Sequence, residues 1–348
     1  MRGGSGRAAL AVVSALAATW VCFCVLVWLY GDAPAAVGKL LFEGTWGTGY
    51  GAGQVLFKAT PLLCTGVAVE LGLRAGLFNI GAEGQVAVAS VAAALVGARV
   101  GALPSVIALP IVVIAAMLAG GAWALTPALL RARFGAHEVI STIMMNRIAD
   151  ALIGAALGAG LAVAGSVRTA PIAPSARMPR LDVVCSTLGG SAASFALPLA
   201  VGLAFLVMWA LRRTRLGVET VWIGLSSRTC AAVHIPVERR LVGTLVLSGA
   251  CAGLASAGTV LGYKGYFEAG LGAGAGFGGL AVALMGRSTA VGLVLAALFF
   301  GTLQQGGLVV NAHVPREVMD VLTGTVILAV ALGDARLRGA VLPGMRPA

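Results

Sequence analysis

The strongest constraint on this chain is a succession of apolar runs, each about as long as a helix needs to cross a hydrocarbon layer, roughly 20 residues. They lie at 8–30, 50–73, 82–98, 105–130, 139–161, 194–211, 241–262, 271–286, 289–309 and 317–333, ten in all. Only 11% of the 348 residues are charged, where a soluble domain carries about 25%. The expected fold is all-α: a polytopic transmembrane bundle of about ten spans, one domain over 1–348 with its membrane core at 8–333. A membrane β-barrel would show short alternating segments instead of continuous apolar runs.

Charge orients the bundle. The net charge is +11, yet the basic residues sit in short connections and form no groove or aromatic ladder for nucleic acid. With the N-terminus inside, 15 basic residues fall on the cytoplasmic side and seven on the other, with Lys58 and Arg147 inside spans. That asymmetry predicts cytoplasmic N- and C-termini, the latter on a tail at 334–348. Arg2 and Arg7 before the first apolar run look like a signal sequence, but the run lacks a small-residue cleavage site and reads as an uncleaved span. Residues 162–193, rich in Pro, Ser and Gly, are too polar to span and read as an external loop. Residues 212–240 form the longest cytoplasmic connection, with a short amphipathic helix expected from about Glu219 to Val233 and Pro236 disfavouring helix before it.

Between two of the runs stands "GLFNIGAEGQ", residues 76–85, which places Asn79, Glu83 and Gln85 among glycines at a helix start. Lipid disfavours a carboxylate, and freed backbone groups must face protein or water. Two readings stay open for Glu83: part of a polar kink beside a pathway, or a cap on the first turn of its own helix. A second glycine-rich break, "GAGAGFGG", begins at Gly272. The predicted topology puts the two breaks on opposite sides of the membrane, the pattern of an inverted repeat. Arg147 and Asp150, three apart within a span, share a helical face and are expected to pair inside the membrane. Glu70, Asp320, Gln304 and Gln305 are candidates for interhelical hydrogen bonds. The three histidines stand far apart, the six cysteines lack disulfide or zinc spacing, and no phosphate-binding glycine motif occurs. An enzyme is therefore disfavoured, and any ATP-driven movement would place the nucleotide site on another chain.

These motifs resemble a known family. "GLFNIGAEGQ" (76–85), "HEVISTIMMNRIA" (137–149) and "GAGFGGLAVALMGRSTAVGLVLAALFFGTLQQGG" (274–307) are similar to ABC-transporter permeases of the bacterial nucleoside and simple-sugar uptake class, within the branched-chain amino acid and ribose permease superfamily. The resemblance runs from about residue 50 to 333. It implies a bacterial inner-membrane permease subunit of an ATP-driven importer. Its partners would be a second related permease, a cytoplasmic ABC ATPase carrying ATP and Mg, and an extracellular or periplasmic solute-binding protein, with lipid around it. No cofactor is implied in this chain. Carried over by motif, Asn79, Glu83, Gln85 and Asn146 match positions near the translocation pathway, with Phe78, Phe277 and Phe267 beside the breaks as possible stacking groups. Gly224, Ala231 and Ala232, with Glu219 and Arg228 beside them, match the segment that docks on the ATPase. Glu138 matches the second motif. Arg147, Asp150 and Glu70 stand where uncharged residues are expected, and Ser226-Ser227 replaces an expected Asn-Pro. The competing reading is an autonomous secondary transporter using Glu83 or Asp150 for proton coupling.

Overall fold

The computed structural model describes residues 17, 19–286, 288–315, 318, 321–326 and 328. Arg2, Arg7, Asp320 and the tail at 334–348 lie outside the described residues, as does most of the tenth predicted span. Among the described residues the fold is helical, with three isolated β-bridges and no strand. In chain order the helices are α1 (Thr19–Leu29), α2 (Pro34–Thr45), α3 (Gly49–Arg74), α4 (Ala82–Arg99), α5 (Ser105–Phe134) and α6 (Glu138–Ala156). They continue with α7 (Ala196–Arg213), α8 (Arg215–Leu225), α9 (Ser227–Ala232), α10 (Val237–Gly253), α11 (Ala275–Gly286) and α12 (Ala290–Val310). Wider helical turns extend α6 to Leu161 and α10 to Lys264.

Among the described residues six helices are long and apolar enough to cross a membrane: α3, α5, extended α6, α7, extended α10 and α12. They match six of the ten predicted runs. The other runs differ for local reasons. The 8–30 run leads into α1, which meets α2 at a bend of 116°; counted as one, that pair makes a seventh span. The 82–98 run forms α4, whose first turn carries Glu83 and Gln85 and whose last carries Arg99. The 271–286 run yields only the 12 residues of α11. Gly270, Gly272 and Gly274 each take φ near +84°, at +84°, +83° and +84°, and such left-handed residues cannot continue a helix.

The chain divides into two compact units. The one drawn from 1–52 and 302–348 has a core of Phe23, Val27, Val37, Val310, Val314 and Leu322. The other, 53–301, contains both glycine breaks. Its central pairing sets α5 against α10. There Gly120 and Gly249 face each other's carbonyls so closely that a Cβ on either would overlap the opposite backbone. Without a hydrophobic force between spans in lipid, such small-residue contacts are what lets two helices gain dispersion energy.

Residues 162–193 do not span, as their composition requires. They run as irregular chain with three short 3-10 turns. Backbone bonds pin them to the end of extended α10 and the chain after it: Thr169 N–H to Phe267 O at 2.9 Å, Ile172 N–H to Gly265 O at 2.8 Å and Met178 N–H to Leu261 O at 3.0 Å. In 212–240 the single expected helix is two. Ser226, extended at φ −161° and ψ 96°, ends α8 and caps α9 by accepting the Thr229 N–H. Pro236 has the expected effect, for His234 leaves the helix with φ +61°.

Candidate functional site

The first break opens where α3 ends. Gly76 takes φ +72°, and the chain to Gly81 is held by side-chain amides. Asn79 makes four bonds. Its Nδ2 donates to Gln85 Oε1 at 3.0 Å and to Ser248 Oγ at 2.7 Å, while its Oδ1 accepts from Gly81 N–H at 3.0 Å and Gln85 Nε2 at 3.1 Å. Ser248 passes the network to α3 by donating to Ala68 O at 2.6 Å. From α6, Asn146 brackets the α4 start, accepting Gly84 N–H at 2.9 Å and donating to Ile80 O at 3.0 Å. Asn79 and Gln85 are both buried. A helix break leaves backbone groups without intrahelical partners, and in a membrane those groups must be satisfied by neighbouring protein. The amides at 79, 85 and 146 do that.

Glu83 does something else. Rather than capping α4, its Oε1 accepts the N–H of Gly274 at 2.6 Å and its Oε2 the N–H of Gly276 at 2.7 Å. Those amides open α11, so the carboxylate of the first break caps the helix of the second. Negative charge at a helix N-terminus is favourable because the first amides are unpartnered and the dipole points that way. From α3, Thr65 Oγ1 donates to Ala275 O at 2.7 Å. The two breaks thus meet at a carboxylate. Beside them is a cleft of about 190 Å³, lined by Glu83, Asp150, Ile153, Phe267 and the loop Gly270–Ala273. Phe267 is its aromatic wall; Phe78 and Phe277 are exposed and do not line it.

Arg147 and Asp150 do pair, at 3.9 Å, with side chains 81% and 63% exposed, and Asp150 borders the cleft beside Glu83. The expected partner for a buried charge is instead found at Glu70, whose carboxylate takes the Nε of Arg74 at 2.8 Å. Glu138 is also buried and meets Arg131 at 3.4 Å.

In 212–240, Glu219 is an internal strut. Arg215 Nε donates to its Oε1 at 2.7 Å and Arg240 Nε to its Oε2 at 2.6 Å, joining α8 to α10. These hydrogen bonds, that from Arg215 foremost, hold its carboxyl below the usual range. Gly224, Arg228, Ala231 and Ala232 are exposed, and so are the large apolar side chains of Trp222, Leu225 and Val233. Gly224 also touches the first break: a Cβ built on Gly76 would lie 3.3 Å from its Cα.

Residues 51–331 match the family model described as branched-chain amino acid transport system, permease component. The chain belongs to this permease family. The permease is 36% identical to the guanosine ABC transporter permease protein NupP of Bacillus subtilis, over 86% of each chain. It is 33% identical to the glucose ABC transporter permease protein TsgB13 of Haloferax volcanii, over 93% of this chain and 86% of that one. The nucleoside ABC transporter permease protein NupB of Lactococcus lactis is 28% identical over 88% of this chain and 84% of its own. The permease is a multi-pass membrane protein, and its family comprises transport components rather than enzymes.

The sequence set Asn79 and Gln85 in one break by adjacency, whereas Asn146, matched to a separate motif by resemblance, is brought to that break only by the fold. Sequence reasoning missed Ser248, Thr65 and Arg74. A serine or threonine in a span is too common to signal a partner, and nothing local marks Arg74 as more than a basic residue at a helix end.

Proposed function

We propose that the permease is one membrane subunit of an ATP-driven importer for nucleosides or a related small polar solute such as a simple sugar. The observation that carries this reading is the contact between Gly224 and Gly76, which sets an exposed surface of α8 and α9 against the first break. Trp222, Leu225, Arg228 and Val233 give that surface the mix of apolar anchor and charge that suits a protein groove. A cytoplasmic ABC ATPase is its partner, carrying ATP and Mg, and the charge asymmetry of the connections supports cytoplasmic N- and C-termini. A solute-binding protein delivers cargo to the opposite face.

A second, related permease completes the membrane part. The exposed face of α6 supports this, because Arg147 stands there beside the exposed Met144, Ile148 and Leu152. Setting a charge at the bilayer centre costs about 2.5–3.5 kcal/mol on insertion scales, so a protein neighbour suits that face better than lipid. The substrate class follows the relatives named for guanosine, nucleoside and glucose. The test is uptake of labelled guanosine or glucose by proteoliposomes holding the permease with its ATPase, partner permease and binding protein. Uptake that requires ATP inside and the binding protein outside is the expected result. Uptake by the chain alone, driven by a proton gradient without ATP, would overturn the importer reading in favour of a secondary transporter.

A further inference from the structure

Helix α11 is gripped at both ends by residues that flank the first break. At its N-terminal end Glu83, just after the break, holds the amides of Gly274 and Gly276. Beyond its C-terminal end Arg74, just before the break, donates Nη2 to Ser288 O at 3.0 Å. Ser288 has φ +62°, a left-handed conformation uncommon outside glycine. A second cation, Arg212 at the end of α7, reaches the same carbonyl at 3.5 Å. Arg74 is itself oriented, because Glu70 lies one turn back and its buried carboxylate fixes the guanidinium through Nε. A guanidinium presents its donors in a rigid plane, so fixing one fixes the direction of the others.

The backbone of Arg74 is equally committed. Gly224 of α8 sits directly on the Arg74 carbonyl, where any Cβ would overlap it. A cleft of about 160 Å³ opens beside Arg74, lined also by Met208, Arg212, Val218, Val221 and Trp222, while Gly217 of α8 packs directly on Ala210 and Leu211 of α7. A helix in direct backbone contact with a neighbour passes its displacement to that neighbour, because close-packed atoms cannot give way.

We propose that Arg74 is the positioning residue through which displacement of α8 reaches both broken helices at once. Its carbonyl passes the displacement into the first break two residues away at Gly76, and its guanidinium passes it into the α11–α12 turn. Because Glu83 holds the other end, α11 moves as a unit with the first break. This rests on the importer reading, in which the ATPase moves α8 and α9.

The test uses the complete transporter in proteoliposomes and reads solute imported per ATP hydrolysed. In Arg74→Gln the complex is expected to assemble and hydrolyse ATP, while uptake per ATP falls by about tenfold, within the range by which network residues alter coupling between sites. Arg74→Lys, which keeps the charge and loses the fork, is expected to show a smaller fall and serves alone if the glutamine variant does not assemble. A ratio equal to that of the unmodified transporter in the variants that assemble would overturn the proposal, as would hydrolysis and uptake falling together in proportion. An unmodified transporter with no ATP-dependent uptake would instead overturn the importer reading and leave Arg74 without a movement to transmit.

Discussion

The two glycine breaks look alike in sequence and are held in opposite ways. The first is over-determined: between Gly76 and Gly84 its backbone is met by the amides of Asn79 and Asn146, with Gln85 and Ser248 completing the network. The second has three left-handed glycines, and a Cβ at Gly270 or Gly274 would meet nothing within 4 Å. Its side-chain anchors, Glu83 and Thr65, are both borrowed from elsewhere. A break whose own side chains share in holding it behaves as a fixed joint, whereas one held only from outside follows whatever holds it. The contrast assigns rigidity to the first break and dependence to the second, although both are written in glycine.

The largest effect that tests this contrast is expected from Asn79→Ala. It leaves the buried amide of Gln85 and hydroxyl of Ser248 short of partners, and stranded buried groups cost about 1–3 kcal/mol each. The thermal unfolding midpoint in detergent should drop by several degrees; an unchanged midpoint would show that the first break is not the fixed joint. Glu83→Gln should cost less overall and act at a distance. Hydrogen exchange at Gly274 and Gly276 should quicken, because a neutral amide replaces the charged acceptor at the start of α11, while exchange at Gly81 and Gly84 stays slow. Equal loosening of both breaks would erase the distinction.

The smallest expected effect separates the first break from the loop beside it. The Glu219 carboxyl is held below its usual value of 4.5 by hydrogen bonds from Arg215 and Arg240. Its stabilising contribution is therefore complete above the unfolded value and is lost as pH falls through the lowered folded one. Proteolysis within α8 and α9 should rise as pH drops below 4.5, while exchange at Gly81 and Gly84 stays slow. Loosening of the first break over the same range would mean that its rigidity is lent by the loop.

Much of the architecture was legible because hydropathy is a local property. The runs behind α3, α5, α6, α7, α10 and α12 announce helices of membrane-crossing length whatever they pack against. The polar residues of "GLFNIGAEGQ" were legible as a break for the same reason, since amides and a carboxylate in apolar sequence have few uses. The 271–286 run was over-read: its composition is apolar, but its first glycines take conformations no helix contains, and hydropathy is blind to φ. The reach of Glu83 was not legible because a cap is normally sought within its own helix, and here the amides it serves are 191 and 193 residues away.

The sequence alone determined that this chain must cross a membrane repeatedly, that two glycine-rich stretches interrupt its helices, and that amides gather at one of them. Those properties depend on the chemistry of neighbouring residues. Which partner each polar group finds was decided only by the tertiary structure. It turned Glu83 to α11, set Arg74 between Glu70 and Ser288, and put Asp150 at the rim of the cleft beside Glu83. In an apolar medium a polar group is stable only against a specific complement, and complements distant in sequence meet through helix packing that no local window contains.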